Sequence, residues 1–335
     1  MKAAEPIQIE TTPAPAATTA ISIIIPALNE ARIIGRCFES LAALDFPKNR
    51  FEVILVDNGS TDPTIEIARS FADRLNLTVL ERTGVRISGL RNWGVKHASG
   101  ATVAFLDADC LAPRSWLKDI LTLSSGDGLG VIGANYLLPE GSTWVGRTWH
   151  VYQEAPKAGD VSHVPAGDLI MKRDDFLRVG GFDESIQTNE DYELCERVRA
   201  AGMRVRAYPQ LGVVHLGTAQ SLKVFYRKQR WHGTHVVKVF VRDVLGSDNR
   251  KAVLFAAYTL LSLAAIVAGS AWGLFNGRWS VALLGIGALI LPPTLLTLGR
   301  IIHGGRWKDF PPLFAIYMTY GLARANALLR IREMR

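Results

Sequence analysis

Ile21-Ser-Ile-Ile-Ile-Pro26 is an almost unbroken β-branched run, the pattern of a strand covered on both faces of a parallel sheet. A helix is expected over 30–44. Phe51-Glu-Val-Ile-Leu-Val56 reads as a second such strand, stopped by the turn sequence Asp57-Asn-Gly-Ser-Thr-Asp62. A helix over 63–75 follows, with Pro63 suited to its first turn. Leu77 to Glu81 is a third strand, Leu90 to Ala98 a helix, and Thr102 to Leu106 a fourth strand ending in Asp107-Ala-Asp109. Strands alternating with helices predict a doubly wound α/β sheet, Rossmann-like in its winding. Ligands of such sheets bind beyond the carboxyl ends of the strands, where both acidic turns fall.

Val131 to Leu216 is less regular and reads as a mixed-sheet extension that completes the cleft, with a turn at Gly180-Gly-Phe-Asp183 and a helix from Asp191 to Ala201. The character then changes. Leu222 to Val241 interleaves Lys223, Arg227 and Arg230 with Phe225 and Trp231. Val253 to Phe275 is an uncharged run of 23 residues, and Trp279 to Gly299 one of 21. A membrane-crossing helix needs about 20. Pro311 to Leu329 is a third candidate, weakened by Arg324. The organisation expected is a disordered tail over 1–19, an α/β domain over 20–219, a basic amphipathic interfacial segment over 220–251 and membrane helices over 252–335.

The net charge of +7 and pI near 9.4 follow from this arrangement. Basic residues abutting two spans fit an anionic lipid surface, and no nucleic-acid motif accompanies them. They also favour the cytosolic side of the plasma (inner) membrane for the preceding domain, with Asn276 to Arg278 outside. A third crossing would export Arg330, Arg332 and Arg335 against the charge rule. Cys37, Cys110 and Cys195 are too scattered for a metal site or a disulfide framework and read as free thiols of a reducing compartment.

Several polar residues carry two readings. Asp107 and Asp109, two apart after a buried strand, are either solvated turn carboxylates or, if that segment is extended, oxygen ligands facing one Mg2+ or Mn2+. Asp57 either closes an Asx-turn or accepts an N–H from a nucleobase. Glu190 and Asp191 either complement a helix dipole or supply a general base. His215, after an apolar strand-like stretch, is a structural histidine or a metal or diphosphate contact.

Taken as an ordered set, Ile23-Ile-Ile-Pro26-Ala-Leu-Asn29-Glu30, Val56-Asp-Asn-Gly-Ser-Thr-Asp62, Arg91-Asn92-Trp-Gly94, Phe105-Leu-Asp-Ala-Asp109, Gly180-Gly-Phe-Asp-Glu184 and Glu190-Asp191 resemble the family 2 inverting glycosyltransferases of GT-A fold. The resemblance covers about residues 20–235. It implies transfer of a sugar from a nucleotide-diphosphate donor, uridine being the expected base, to a hydroxyl of a lipid-linked or cell-surface saccharide. By that resemblance Pro26, Asn29, Glu30 and Asp57 line the nucleotide pocket and Arg91 sits near the donor phosphates. Asp107 lies at the ribose and metal, Asp109 on the metal, Asp191 is the catalytic base, and Glu190 stands beside it at the acceptor. Gly167 and Asp168 fall where the family often has a small residue and an Asn lining the acceptor cleft, so the Asp is a departure. Processive members carry Gln-x-x-Arg-Trp on an interfacial helix. Here Arg227-Lys-Gln-Arg230-Trp231 keeps Arg230 and Trp231 for the acceptor but has Arg in place of the first Gln, which implies addition of one or few sugars.

Competing classes are a nucleotide-sugar-binding membrane protein without catalysis, and a polyprenyl-phosphate glycosyltransferase using a GDP- or UDP-sugar. A dinucleotide oxidoreductase needs Gly-x-Gly-x-x-Gly after the first strand. Pro26-Ala-Leu-Asn-Glu-Ala31 has no glycine, which excludes it.

Overall fold

The computed structural model describes residues 19–126, 128–154, 158–186, 188–242 and 250–329. The tail expected over 1–19 lies, Thr19 aside, outside the described residues, as do Arg330, Arg332 and Arg335. The chain divides into two units, one of residues 1–139 and 155–217, the other of 140–154 and 218–335. Residues 140–154, which the sequence reading kept in the α/β domain, therefore group with the helical remainder.

The chain runs β1 (Ile21–Ala27), α1 (Ile34–Ala42), β2 (Phe51–Asp57), α2 (Thr64–Arg69), β3 (Leu77–Glu81), α3 (Ile87–His97), β4 (Thr102–Leu106), β5 (Cys110–Leu111), α4 (Trp116–Leu123) and β6 (Leu129–Gly133). After α5 (Trp144–Trp149), which belongs to the second unit, come β7 (Gly159–Asp160), β8 (Asp168–Lys172), α6 (Arg173–Arg178), α7 (Glu190–Ala200), β9 (Arg204–Ala207) and β10 (Val214–His215). The main sheet has the order β3-β2-β1-β4-β8-β6-β9-β7. Its first four strands are parallel, as the buried β-branched runs predict. Strand β8 then runs antiparallel to both β4 and β6, which makes the sheet mixed. The order 3-2-1-4 reverses between β1 and β4, so a crevice opens at the carboxyl ends of those two strands.

Strand β1 explains why the sheet is doubly covered. Ile21, Ile23 and Ile25 pack with Cys37, Phe38 and Leu41 of α1 in one core, while Ile24 joins Leu90 and Val95 of α3 in the other. Each fully buried Ile contributes about 1.5–3 kcal/mol relative to exposure. Helix α3 lies so close to β1 that a Cβ on Gly94 would collide with the Ile24 side chain, which accounts for the glycine in Arg91-Asn92-Trp-Gly94.

Helix boundaries differ from the sequence reading where side chains capture the backbone. Helix α1 starts at Ile34 rather than near Glu30, because Asn29 is left-handed (φ 57°) and the Glu30 N–H is taken by Thr64 Oγ1 at 2.8 Å. Helix α2 stops at Arg69, and the chain continues in turns to Leu75.

The second unit holds α5 and then α8 (Leu222–Arg242), α9 (Arg250–Asn276), α10 (Ser280–Ile302) and α11 (Phe310–Leu329). Two stretches, Ala252–Asn276 and Ser280–Ile302, are long and apolar enough to cross a membrane. They keep large apolar side chains such as Leu274 and Phe275 exposed, as lipid-facing residues are. Helix α11, the third candidate, forms and is 20 residues long, but does not match them in apolarity. Its Arg324 donates to Oε1 of the buried Gln229 of α8 at 3.0 Å, a part-buried polar link inside the helical unit.

Candidate active site

Two loops at the carboxyl ends of β1 and β2 are stitched together. The Asn29 N–H donates to Ser60 Oγ (2.8 Å), Thr61 N–H to Asn29 Oδ1 (2.8 Å) and Ala31 N–H to Asp62 Oδ2 (3.1 Å). Asp57, at the end of β2, is fully buried. One of its carboxylate oxygens accepts from the Gly59 N–H (2.8 Å) and Ser60 N–H (2.6 Å), and the other from Ser60 Oγ (2.5 Å). These bonds form the Asx-turn, and Oδ1, which accepts only the last of them, keeps acceptor capacity. Pro26 is buried in β1 opposite Val56, whereas Asn29 is exposed and Glu30 partly so.

Beyond β4 the chain turns at once, with the Cys110 N–H donating to the Asp107 carbonyl at 2.9 Å. Asp107-Ala-Asp109 is thus a turn and not the extended segment expected, and its two carboxylates face different partners. Asp107 Oδ1 accepts from Arg91 Nη2 at 2.7 Å and Oδ2 from the Tyr136 hydroxyl at 3.1 Å. Asp109 Oδ2 lies 3.2 Å from His215 Nε2, which β10 delivers by pairing with β5.

Arg91 is only 2% exposed, and its Nη1 reaches Glu190 Oε1 at 2.6 Å. Burial opposes its charge, but Asp107 and Glu190 overcome that and hold the guanidinium above its ordinary pKa. The Arg91 guanidinium thus bridges the turn after β4 to the first turn of α7. The neighbouring Asn92 clasps the Gly180-Gly-Phe-Asp-Glu184 loop, donating to the Phe182 carbonyl (2.8 Å) and accepting from the Phe182 N–H (2.9 Å). That loop leads to Asn189, left-handed at φ 66°, and so into the first turn of α7 with Glu190 and Asp191. Asp191 Oδ2 accepts from the Ala166 N–H at 3.1 Å, and burial pushes its pKa above the usual carboxylate value.

Gly167 sits against this cluster. A Cβ there would collide with Asp107 Oδ2 and the Tyr136 hydroxyl, so only glycine fits. Asp168 is different. It is fully buried in β8 and accepts from Trp116 Nε1 (3.3 Å) and the Ala134 N–H (3.0 Å), with its pKa pushed well up by burial. These two donors tie Asp168 to Trp116 and to the end of β6, and the acceptor-lining place expected for it stands as a proposal beside that tie. Arg230 and Trp231 lie on α8 in the second unit, Trp231 half exposed. Tyr136, three residues beyond the end of β6, was not singled out by sequence. Its only signal is a position past a strand's carboxyl end.

Among the described residues, no three His, Cys, Asp or Glu side chains converge on one point as a preformed metal cluster. Asp109 and His215 do come together, an oxygen and an imidazole donor suited to a divalent ion that keeps its remaining positions for phosphate and water.

With this geometry in hand, the likenesses to known proteins are specific. The glycosyl transferase family 2 profile matches residues 22–176, and that of family 21 matches residues 151–298. The chain is 33% identical over 190 residues to the glycosyltransferase AglE of Haloferax volcanii, covering 54% of this chain and 62% of that protein. It is 28% identical over 233 residues to the pre-mycofactocin glycosyltransferase of Mycobacterium tuberculosis, covering 66% and 48%. A solved mannosyltransferase of Pyrobaculum calidifontis, in complex with GDP-Man and Mn2+, shares the fold at a TM-score of 0.61 and 21% identity, over 97% of this chain and 90% of that one. The chain spans less than two thirds of the length of these two curated relatives. The fold is the one found in GT-A glycosyltransferases. The likeness to glycosyl transferase family 2 is carried by residues 22–176.

Proposed function

We propose that this chain is a membrane-anchored, metal-dependent, inverting glycosyltransferase. It moves a sugar from a nucleotide-diphosphate donor, UDP-linked by default, to a hydroxyl of a lipid-linked or cell-surface saccharide. The observation that carries this reading is the meeting, at the carboxyl ends of β1 and β4, of the Asp109–His215 pair with the Asp107–Arg91–Glu190 network and Asp191. Asp109 and His215 would hold Mg2+ or Mn2+, which, when bound, neutralises charge on the departing diphosphate. Asp191 takes the proton of the acceptor hydroxyl as its oxygen attacks the anomeric carbon. The bond to the diphosphate oxygen breaks, and the nucleoside diphosphate leaves with the electron pair, inverting the centre. A carboxylate partly withdrawn from water is a stronger base than a solvated one, which suits this task. Arg227, an obligate donor, replaces a Gln that donates and accepts, which supports one or few additions rather than a long polymer. The basic flanks of the spans favour a cytosolic site on the inner membrane.

The test is transfer from a panel of radiolabelled UDP- and GDP-sugars by membranes holding the full chain, with lipid-soluble and polymeric products separated. Transfer should collapse by orders of magnitude in excess chelator and in Asp109→Asn. Near-normal transfer in either would remove the metal from the reading, and a ladder of long chains would remove single addition.

A further inference from the structure

The hydroxyl of Tyr136 donates to Asp107 Oδ2 at 3.1 Å and accepts from the Gly167 N–H at 3.1 Å. Its ring stacks on His215, with centroids 4.5 Å apart and planes 24° from parallel. The next peptide group along, the Ala166 N–H, is the one that binds Asp191 Oδ2 at 3.1 Å. One side chain thus touches the acidic turn after β4, the imidazole beside Asp109 and the segment that holds Asp191. Gly167 makes this possible, since any side chain there would push the hydroxyl away.

We propose that Tyr136 is a positioning residue that locks the donor-side groups, Asp107 and His215, to the segment carrying Asp191. The hydroxyl and the ring do separate jobs. The hydroxyl fixes Asp107 against Gly167 and, through the adjoining peptide, steadies Asp191 for proton transfer. The ring holds the imidazole of His215 in the plane that faces Asp109, so that a divalent ion and the diphosphate meet a set donor pair. Outer partners of metal-side groups commonly change affinity or activity about 10–100-fold when removed. This proposal rests on the glycosyltransferase reading above.

The two jobs separate by substitution in the full chain in detergent. Tyr136→Phe keeps the stack and deletes the hydroxyl, so kcat should fall about 10–100-fold. Binding of UDP or GDP in the presence of Mn2+, followed by calorimetry, should change no more than about threefold. Tyr136→Leu deletes both, and Mn2+-supported nucleotide binding should weaken about tenfold or more as well. If Tyr136→Phe retains the wild-type kcat, or if both variants lower only the melting temperature while kinetic and binding constants per folded molecule stay unchanged, Tyr136 is packing and the proposal fails alone. If wild type neither binds UDP or GDP with Mn2+ nor transfers any sugar, the glycosyltransferase reading fails, and this proposal with it.

Discussion

Arg91→Met removes a buried cation that joins the turn after β4 to α7 while keeping most of the side-chain volume. In the native chain the guanidinium is 2% exposed and bonded to Asp107 at 2.7 Å and to Glu190 at 2.6 Å. Breaking a buried pair by deleting one partner costs about 3–5 kcal/mol, because the remaining charge is left uncompensated. At about 2–4 °C per kcal/mol for a domain of this size, the melting temperature should drop on the order of 10 °C. The sign of the pH dependence follows from linkage. Glu190, buried without its partner, titrates in the folded variant above its unfolded value. Such a group contributes stability that is present below the unfolded pKa and lost as pH rises through the folded one. The deficit of Arg91→Met should therefore be larger at pH 8 than at pH 5. Arg91→Lys should fall between, since one ammonium cannot reproduce the planar fork that spans two carboxylates. Intrinsic tryptophan fluorescence during thermal denaturation of the full chain in detergent measures all of this. An Arg91→Met protein melting within about 2 °C of wild type, or a deficit that shrinks as pH rises, would refute the account of Arg91 as the buried tie.

Further outcomes are expected. Burial raises the pKa of Asp191, so kcat, which needs its ionised form, should fall with decreasing pH at values above the ordinary ~3.9 for Asp, and Asp191→Asn should abolish transfer while sparing donor binding. A pH–rate profile level down to about pH 4, or calorimetry showing lost donor affinity in the variant, would contradict that role. Gly167→Ala should displace Asp107 and Tyr136, costing about 1–3 kcal/mol of stability and most of the transfer rate; wild-type kinetics would show the close approach to be unimportant. Asp168→Ala should orphan the Trp116 and Ala134 donors at about 1–3 kcal/mol each and raise the acceptor KM per folded molecule, and an unchanged KM would take Asp168 out of the acceptor cleft. A cysteine replacing Arg278, chosen over Gly277 with its φ of 68°, should react with an impermeant reagent from outside the cell, and labelling only from the cytosol would invert the proposed topology.

The sequence alone determined what depends on near neighbours along the chain. Ile21 to Pro26, Phe51 to Val56 and Thr102 to Leu106 are strands because their runs have nowhere to go but between two layers, and the acidic turns follow at their ends. The two apolar helices of the second unit were legible for the same reason, since length and composition are local quantities. Pairings between distant residues were not legible. Arg91 meets Glu190 across 99 positions, and Tyr136 meets Gly167 across 31. Neither interval follows a period that a sequence displays. The mixed register of β8 decided that Asp168 faces Trp116 and Ala134 while Gly167, one residue earlier, lies against Asp107. The turn at Asp107 to Cys110 likewise sent Asp109 to His215 and Asp107 to Arg91. Motif identity is written in the order of residues, but the partner of a buried charge depends on which chain segment desolvates it, and only the assembled sheet decides that.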